Sequence, residues 1–199
     1  MQALKGSLVA LVTPLASDGE VDYAALKALV TWHIEQGTHG IVPVGTTGEA
    51  PTLSVKEHSK VISRTIEYVN GRVPVIAGTG GNSTRDSITL TKQAKKSGAD
   101  FCLLVTPYYN KPNQEGLIKH FLSIADSVDI PQILYNVPSR TACDILPSTV
   151  KILANHKNII GIKEAFDDMN RIKELIKISD EMKNNKDFYI YSGDDPTFL

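Results

Sequence analysis

The sequence predicts a parallel α/β fold of the (β/α)8 barrel type, and three observations carry that expectation. Short apolar, β-branched runs alternate along the chain with longer segments striped at helical spacing. Corresponding strand positions, at Ile41, Val75, Cys102, Ile133, Ile160 and Ile190, recur every 27 to 34 residues, the length of a strand, a helix and two short loops. The rhythm is steady throughout. A doubly wound sheet would obey the same alternation, but an unchanging period favours the barrel.

The first strand is read over Ser7 to Thr13, followed by a turn at Asp18-Gly19. Tyr23, Leu26, Val30 and His33 or Ile34 then mark one face of a helix ending near Gly37. Gly40 to Val44 is the second strand. Pro43 within it cannot donate to a ladder, so a bulge or distorted strand end is expected there. Val55, Ile62, Ile66 and Val69 stripe the second helix, and Pro74 to Gly78 forms the third strand. Ser83 stands to cap the third helix, with Asp86 three residues on in the manner of a capping box.

Phe101 to Thr106 is the fourth strand, and Leu117, Phe121, Ile124 and Val128 line the helix after it. Pro131 to Asn136 is the fifth strand. Pro147 suits the first turn of a helix reaching about Asn155, and Ile159 to Lys163 is the sixth strand. A helix striped by Ile172, Leu175 and Ile176 leads to a seventh strand, Phe188 to Ser192. These elements make seven strands and six helices in one domain over residues 1–199. A closed barrel needs an eighth strand and typically about 250 residues. The last βα units are therefore expected to be missing, which leaves strands 1 and 7 as sheet edges.

Composition narrows the function classes. With 42% hydrophobic residues the chain can bury a sizeable core. Its 21 Lys and Arg against 22 Asp and Glu give a net charge of −1, so no basic field recruits nucleic acid or an anionic membrane. Lys5 precedes an apolar stretch, but Thr13-Pro14 interrupts it and no cleavage site follows, which favours a strand over a signal peptide. No apolar run approaches the roughly 20 residues that span a bilayer. Cys102 and Cys143 form no disulfide framework or metal knuckle, and a reducing cytoplasm fits. His33, His39, His58, His120 and His156 have no metal-ligand spacing. Gly78-Thr-Gly-Gly-Asn82 lacks the spacing of a dinucleotide fingerprint and the Lys-Ser/Thr ending of a P-loop. Asp194-Asp195 reads as a turn or helix cap.

Chemistry collects where strands end. In parallel α/β folds functional groups sit at the carboxyl ends of strands. Those ends carry Gly45-Thr-Thr-Gly-Glu49, Pro107-Tyr-Tyr-Asn110, Tyr135-Asn-Val-Pro-Ser-Arg-Thr141 and Lys163. A lysine closing a buried apolar run is desolvated, which favours the neutral, nucleophilic amine. Alternation puts Gly161 and Ile159 on the Lys163 face, with space beneath the lysine at Gly161, and Ile160 and Ile162 on the other face. Tyr135 and Ile133 share a face on the adjoining strand. Such an amine can form a Schiff base with a ketone while a neighbouring phenol shuttles protons, and Thr46, Thr47 and the Gly-rich backbone could hold a small carboxylate. Carbon–carbon chemistry on a keto acid is the reaction class that results.

Taken together and in this order, with Ser192-Gly-Asp-Asp195 added, these motifs make the chain resemble the dihydrodipicolinate synthase family of pyruvate-dependent class I aldolases, from Gly6 through Asp195. The resemblance implies condensation of pyruvate with L-aspartate 4-semialdehyde, with no cofactor beyond a Schiff base on Lys163. It implies Tyr135 as general acid/base, linked through the Thr46 hydroxyl to Tyr109 of a neighbouring subunit, and hence a homodimer, usually within a homotetramer. Thr47 would hold the pyruvate carboxylate, and Arg140 and the Gly193 backbone would meet the second substrate. A guanidinium suits bidentate carboxylate recognition, which separates this reading from the sister N-acetylneuraminate and 2-keto-3-deoxygluconate lyases. The resemblance also points to a lysine-binding regulatory site at His58, Asn82, Asp86 and Tyr108. There the chain departs from the family, with Asp86 where a longer glutamate is usual and Val55 where some members have histidine. A reading of a different class is a non-catalytic, pyruvate-binding fragment, in which an unclosed barrel leaves the site unorganised.

Overall fold

A computed structural model describes residues 4–195. The chain divides into two compact units, Met1–Thr79 with Leu90–Leu103, and Gly80–Thr89 with Leu104–Leu199.

In the first unit β1 (Leu8–Ala10) runs parallel to β2 (Gly40–Val42), Leu8 opposite Gly40 and Ala10 opposite Val42. A parallel bridge joins Ile41 to Val75, and β3 (Ile76–Gly78) pairs in parallel with the start of β4 (Phe101–Val105). Two helices belong wholly to this unit. Asp22 opens α1 (Tyr23–Glu35) by accepting the Ala25 N–H at 2.9 Å. Ser54 and Glu57 form a reciprocal capping box that starts α2 (Val55–Val69), a signal the stripe alone did not reveal. Between β2 and α2 lies a single 3-10 turn, Ala50–Thr52.

Pro43 acts as a strand terminator. β2 stops at Val42, the Pro43 carbonyl accepts the Gly78 N–H at 3.1 Å, and Val44 turns to φ 47°, a conformation uncommon for a β-branched residue. The expected distorted strand end is thus a sharp turn into the Thr46-Thr47 loop. Gly48 makes that turn feasible, since a Cβ there would lie 2.9 Å from the Leu11 carbonyl and from the Val44 nitrogen.

The second unit holds three parallel strands, β5 (Gln132–Asn136), β6 (Ile159–Glu164) and β7 (Tyr189–Ser192). Helix α3 (Thr84–Ser97) begins here, with the Asp86 N–H donating to Ser83 Oγ at 3.3 Å. Four helices follow: α4 (Gln114–Ser127), α5 (Pro138–Thr141), α6 (Pro147–Leu153) and α7 (Met169–Met182). The described residues therefore contain seven α-helices, one more than expected, because the four-residue α5 directly follows β5. The core joins Leu117, Phe121 and Ile124 of α4 to Leu134, Ile159, Ile162 and Leu175, all fully buried. Each such side chain contributes roughly 2 kcal/mol through burial.

Two expectations about β6 and one about α7 are corrected. The register between β5 and β6 shifts between Gln132 and Ile133, so that Gln132 faces Ile159 and Ile133 faces Gly161. Ile160 is the extra residue of a bulge, which turns Ile159 into the core beside Ile162 rather than onto the Lys163 face. Gly161 leaves no space beneath the lysine either. A Cβ there would sit 2.4 Å from the Tyr189 carbonyl oxygen, so the glycine lets β7 approach. On α7 the buried stripe is Arg171, Leu175, Ile178 and Met182, while Ile176 is exposed.

Among the described residues no helix is long and apolar enough to cross a membrane. Because the obstruction at Gly161 is backbone, Gly161→Ala is expected to destabilise the fold by about 2 kcal/mol or more. Urea denaturation followed by circular dichroism measures the loss.

Candidate active site

Lys163 and Tyr135 lie directly opposite each other across β5 and β6, and the next pair is Asn136 opposite Glu164. Successive strand residues alternate, so one pair faces away from the other. The Lys163 amine stands 4.6 Å from the centroid of the Tyr135 ring, over its face. On the far side Lys163 is in register with Tyr191 of β7. The amine thus lies between two tyrosine-bearing strands.

Gly193 shapes the third wall. A Cβ on it would lie 2.6 Å from Lys163 Cε and 3.1 Å from Cγ, and its N–H donates to the Glu164 carbonyl at 2.7 Å. The aliphatic stem of the lysine therefore packs where any other residue would place a side chain. Burial lowers the Lys163 amine pKa from its ordinary value of 10.5, and burial raises that of the Tyr191 phenol.

Behind this pair is a buried polar cluster that sequence reading missed. The Glu164 side chain is fully enclosed, yet its carboxylate accepts hydrogen bonds from Asn136 Nδ2 at 2.9 Å, the Ala165 N–H at 3.0 Å and Arg171 Nε at 2.7 Å. Asn136 also donates to Asp144 at 2.9 Å and accepts the Ile145 N–H at 3.1 Å. Arg171 reaches Asp144 at 3.1 Å and the Ile145 carbonyl. Burial pushes the Glu164 carboxyl upward, and the Arg171 and Asn136 donors pull it back. A usable signal existed: Arg171 interrupts the apolar stripe Leu175, Ile178 and Met182 at a position one turn before it.

The remaining expected site residues fall into three groups. Thr46 and Thr47 belong to the first unit, exposed on the loop after β2, where the Thr46 carbonyl accepts the Glu49 N–H at 3.0 Å. Arg140 lies on α5, exposed, and Tyr109 is 90% exposed with φ 73°. Of the suggested regulatory residues, His58 is buried on α2 of the first unit, where burial lowers its pKa to about 4. Asn82, Asp86 and Tyr108 belong to the second unit; the Asn82 carbonyl accepts from Asn110 Nδ2 at 3.2 Å, and Asp86 is exposed. The structure brings together Lys163, Tyr135 and Gly193 and adds Tyr191, Asn136, Glu164 and Arg171.

Parallel β/α repeats with a desolvated amine and a phenol at adjacent strand ends define a β/α-barrel protein with a lysine-centred site. Residues 3–199 match the Dihydrodipicolinate synthetase family, and the chain belongs to it. It is 58% identical over 196 residues to a 4-hydroxy-tetrahydrodipicolinate synthase of Alcanivorax borkumensis, covering 98% of this chain and 65% of that one. The chloride-inhibited dihydrodipicolinate synthase of Acinetobacter baumannii, solved with pyruvate, superposes with a TM-score of 0.92 at 54% identity, over 98% of this chain and 65% of that one. A Cyanidioschyzon merolae relative solved with lysine bound gives a TM-score of 0.88 at 38% identity, over 96% and 64%. The chain thus spans about two thirds of the length of these relatives, just under that fraction in each case.

Replacing Gly193 by alanine is expected to displace the Lys163 stem. Mass-spectrometric labelling of lysines with an acylating reagent should show the Lys163 reactivity changed severalfold. Unchanged labelling of Lys163 would sink the packing role given to Gly193.

Proposed function

We propose that this chain carries the Schiff-base centre of a 4-hydroxy-tetrahydrodipicolinate synthase, which joins pyruvate to L-aspartate 4-semialdehyde. The observation that supports it most is the Lys163 amine, half-buried with its pKa lowered and held over Tyr135. The neutral amine adds to the ketone carbon of pyruvate, and the resulting carbinolamine loses water to give an imine. A proton then leaves the methyl group, and the enamine carbon attacks the aldehyde of the second substrate. Tyr135 carries protons on and off these intermediates. The likeness to a synthase solved with pyruvate supports the choice of keto acid.

In this reading Thr46 links Tyr135 to Tyr109 of a second subunit, and Thr47 binds the pyruvate carboxylate. The marked exposure of Tyr109 is consistent with a side chain that serves a neighbour in a homodimer or homotetramer. Arg140 binds the carboxylate of the semialdehyde, and the Gly193 backbone lies beside it. No cofactor takes part, because the lysine itself supplies the electron sink. Lysine binds at His58, Asn82, Asp86 and Tyr108, a reading supported by the lysine-bound relative. Two free, buried cysteines are consistent with a cytoplasmic setting.

Incubation with pyruvate and borohydride is expected to leave a reduced adduct on Lys163, located by peptide mass spectrometry. Since the neutral amine reacts and burial lowers its pKa, adduct formation should rise with pH through a midpoint below 10.5. Absence of an adduct in folded protein would refute the Schiff-base reading. Arg140→Ala should leave the pyruvate adduct intact and weaken turnover of the semialdehyde by about 100-fold, as expected for loss of a charge-assisted pair. Steady-state kinetics with each substrate varied separately tests this.

A further inference from the structure

We propose that Arg171 is a positioning residue for the Lys163 amine, acting through Glu164 and Asn136 to fix the ends of β5 and β6. The proposal rests on Lys163 being the reactive group of the site. It concerns a residue on α7, with Lys163 itself on β6.

The argument begins with strand alternation. Asn136 and Glu164 follow Tyr135 and Lys163 directly, and they are themselves a register pair. Whatever fixes one pair therefore fixes the other on the opposite face of the same two strands. Asn136 Nδ2 bridges to Glu164 Oε1 at 2.9 Å, and the Ala165 N–H closes on the Asn136 carbonyl at 2.9 Å. Arg171 then grips the outer oxygen of Glu164 at 2.7 Å. Its remaining nitrogens hold Asp144 and the Ile145 carbonyl, on the segment that leaves α5.

Energetics argue against a purely stabilising role. Removing a carboxylate and a guanidinium from water costs several kcal/mol for each ion, and apolar replacements of similar volume are often as stable. A planar fork that locks three elements at once is instead a device for geometry. Lys163 depends on that geometry, because its stem lies between Tyr135 and Gly193 with little slack. A small shift of β6 would move the amine off the phenol and toward water. The titratable groups flanking it are Tyr135 on β5 and Tyr191 on β7; the charged groups of the cluster, Glu164, Asp144 and Arg171, lie behind the strand.

The test compares the chain with Arg171→Lys, which keeps the charge but loses the fork, and with a doubly neutral Glu164→Gln/Arg171→Met form as a second route to folded protein. Competitive labelling of lysines with acetic anhydride across pH reads the Lys163 titration midpoint without any substrate. Loss of positioning should raise that midpoint by about one pH unit in either variant, and so lower its neutral fraction at pH 7 about tenfold. Labelling of the exposed Lys27 and Lys119 should not differ between the variants and the unsubstituted chain. A variant that melts earlier while its Lys163 midpoint stays put would overturn the proposal and leave Arg171 structural only. Pyruvate and borohydride form the second arm. Failure of the unsubstituted chain to form an adduct would overturn the Schiff-base reading alone, because the labelling arm judges Arg171 by itself.

Discussion

The register between β5 and β6 is the constraint on which the site depends. It sets Tyr135 against Lys163 on one face and Asn136 against Glu164 on the other. A slip of one residue would exchange the two faces, burying the amine among core residues and exposing the carboxylate. Both strands are apolar over most of their length, so hydrophobic burial alone distinguishes poorly between registers. The hydrogen bond from Asn136 to Glu164 does distinguish them, since only one alignment brings a donor and acceptor together in the buried layer.

Close backbone packing adds to that specification. Gly161 admits the Tyr189 carbonyl and Gly193 admits the lysine stem, so β7 and the chain after it press against β6 from one side. Tyr135 and Tyr191 flank the amine in the same row. Desolvation of Lys163 therefore comes from packing on three sides, with no cation needed beside it to depress its pKa.

Much of this was legible in the sequence. Among the described residues seven strands occur where β-branched runs predict them, because such runs bury as strands when flanked by helices at a steady period. Lys163 and Tyr135 were legible as neighbours because each stands near the carboxyl end of an apolar run. The bulge at Ile160 was not, since Ile-Ile-Gly-Ile is apolar throughout and offers no polar residue to reveal a change of phase. Helix α5 was missed for a different reason: four residues give too little periodicity to register. Arg171 was hidden because charge on a helix usually marks the solvent face, and its partners Glu164 and Asp144 are 7 and 27 residues away in sequence. The direction in which Gly161 works was also illegible. A glycine announces close approach but does not say which neighbour approaches.

The bulge at Ile160 divides β6 into two segments with separate obligations. Before it, Ile159 answers to the fit of the helices; after it, Ile162 still packs in that core, while Lys163 faces the site and Glu164 is held by Arg171 of α7. Changes in helix packing that push on the first segment are absorbed at the irregular residue, where the ladder is already broken. Sequence drift around Ile159 can therefore proceed with little movement of the amine, whereas a change in α7 that shifts Arg171 bears directly on the strand end.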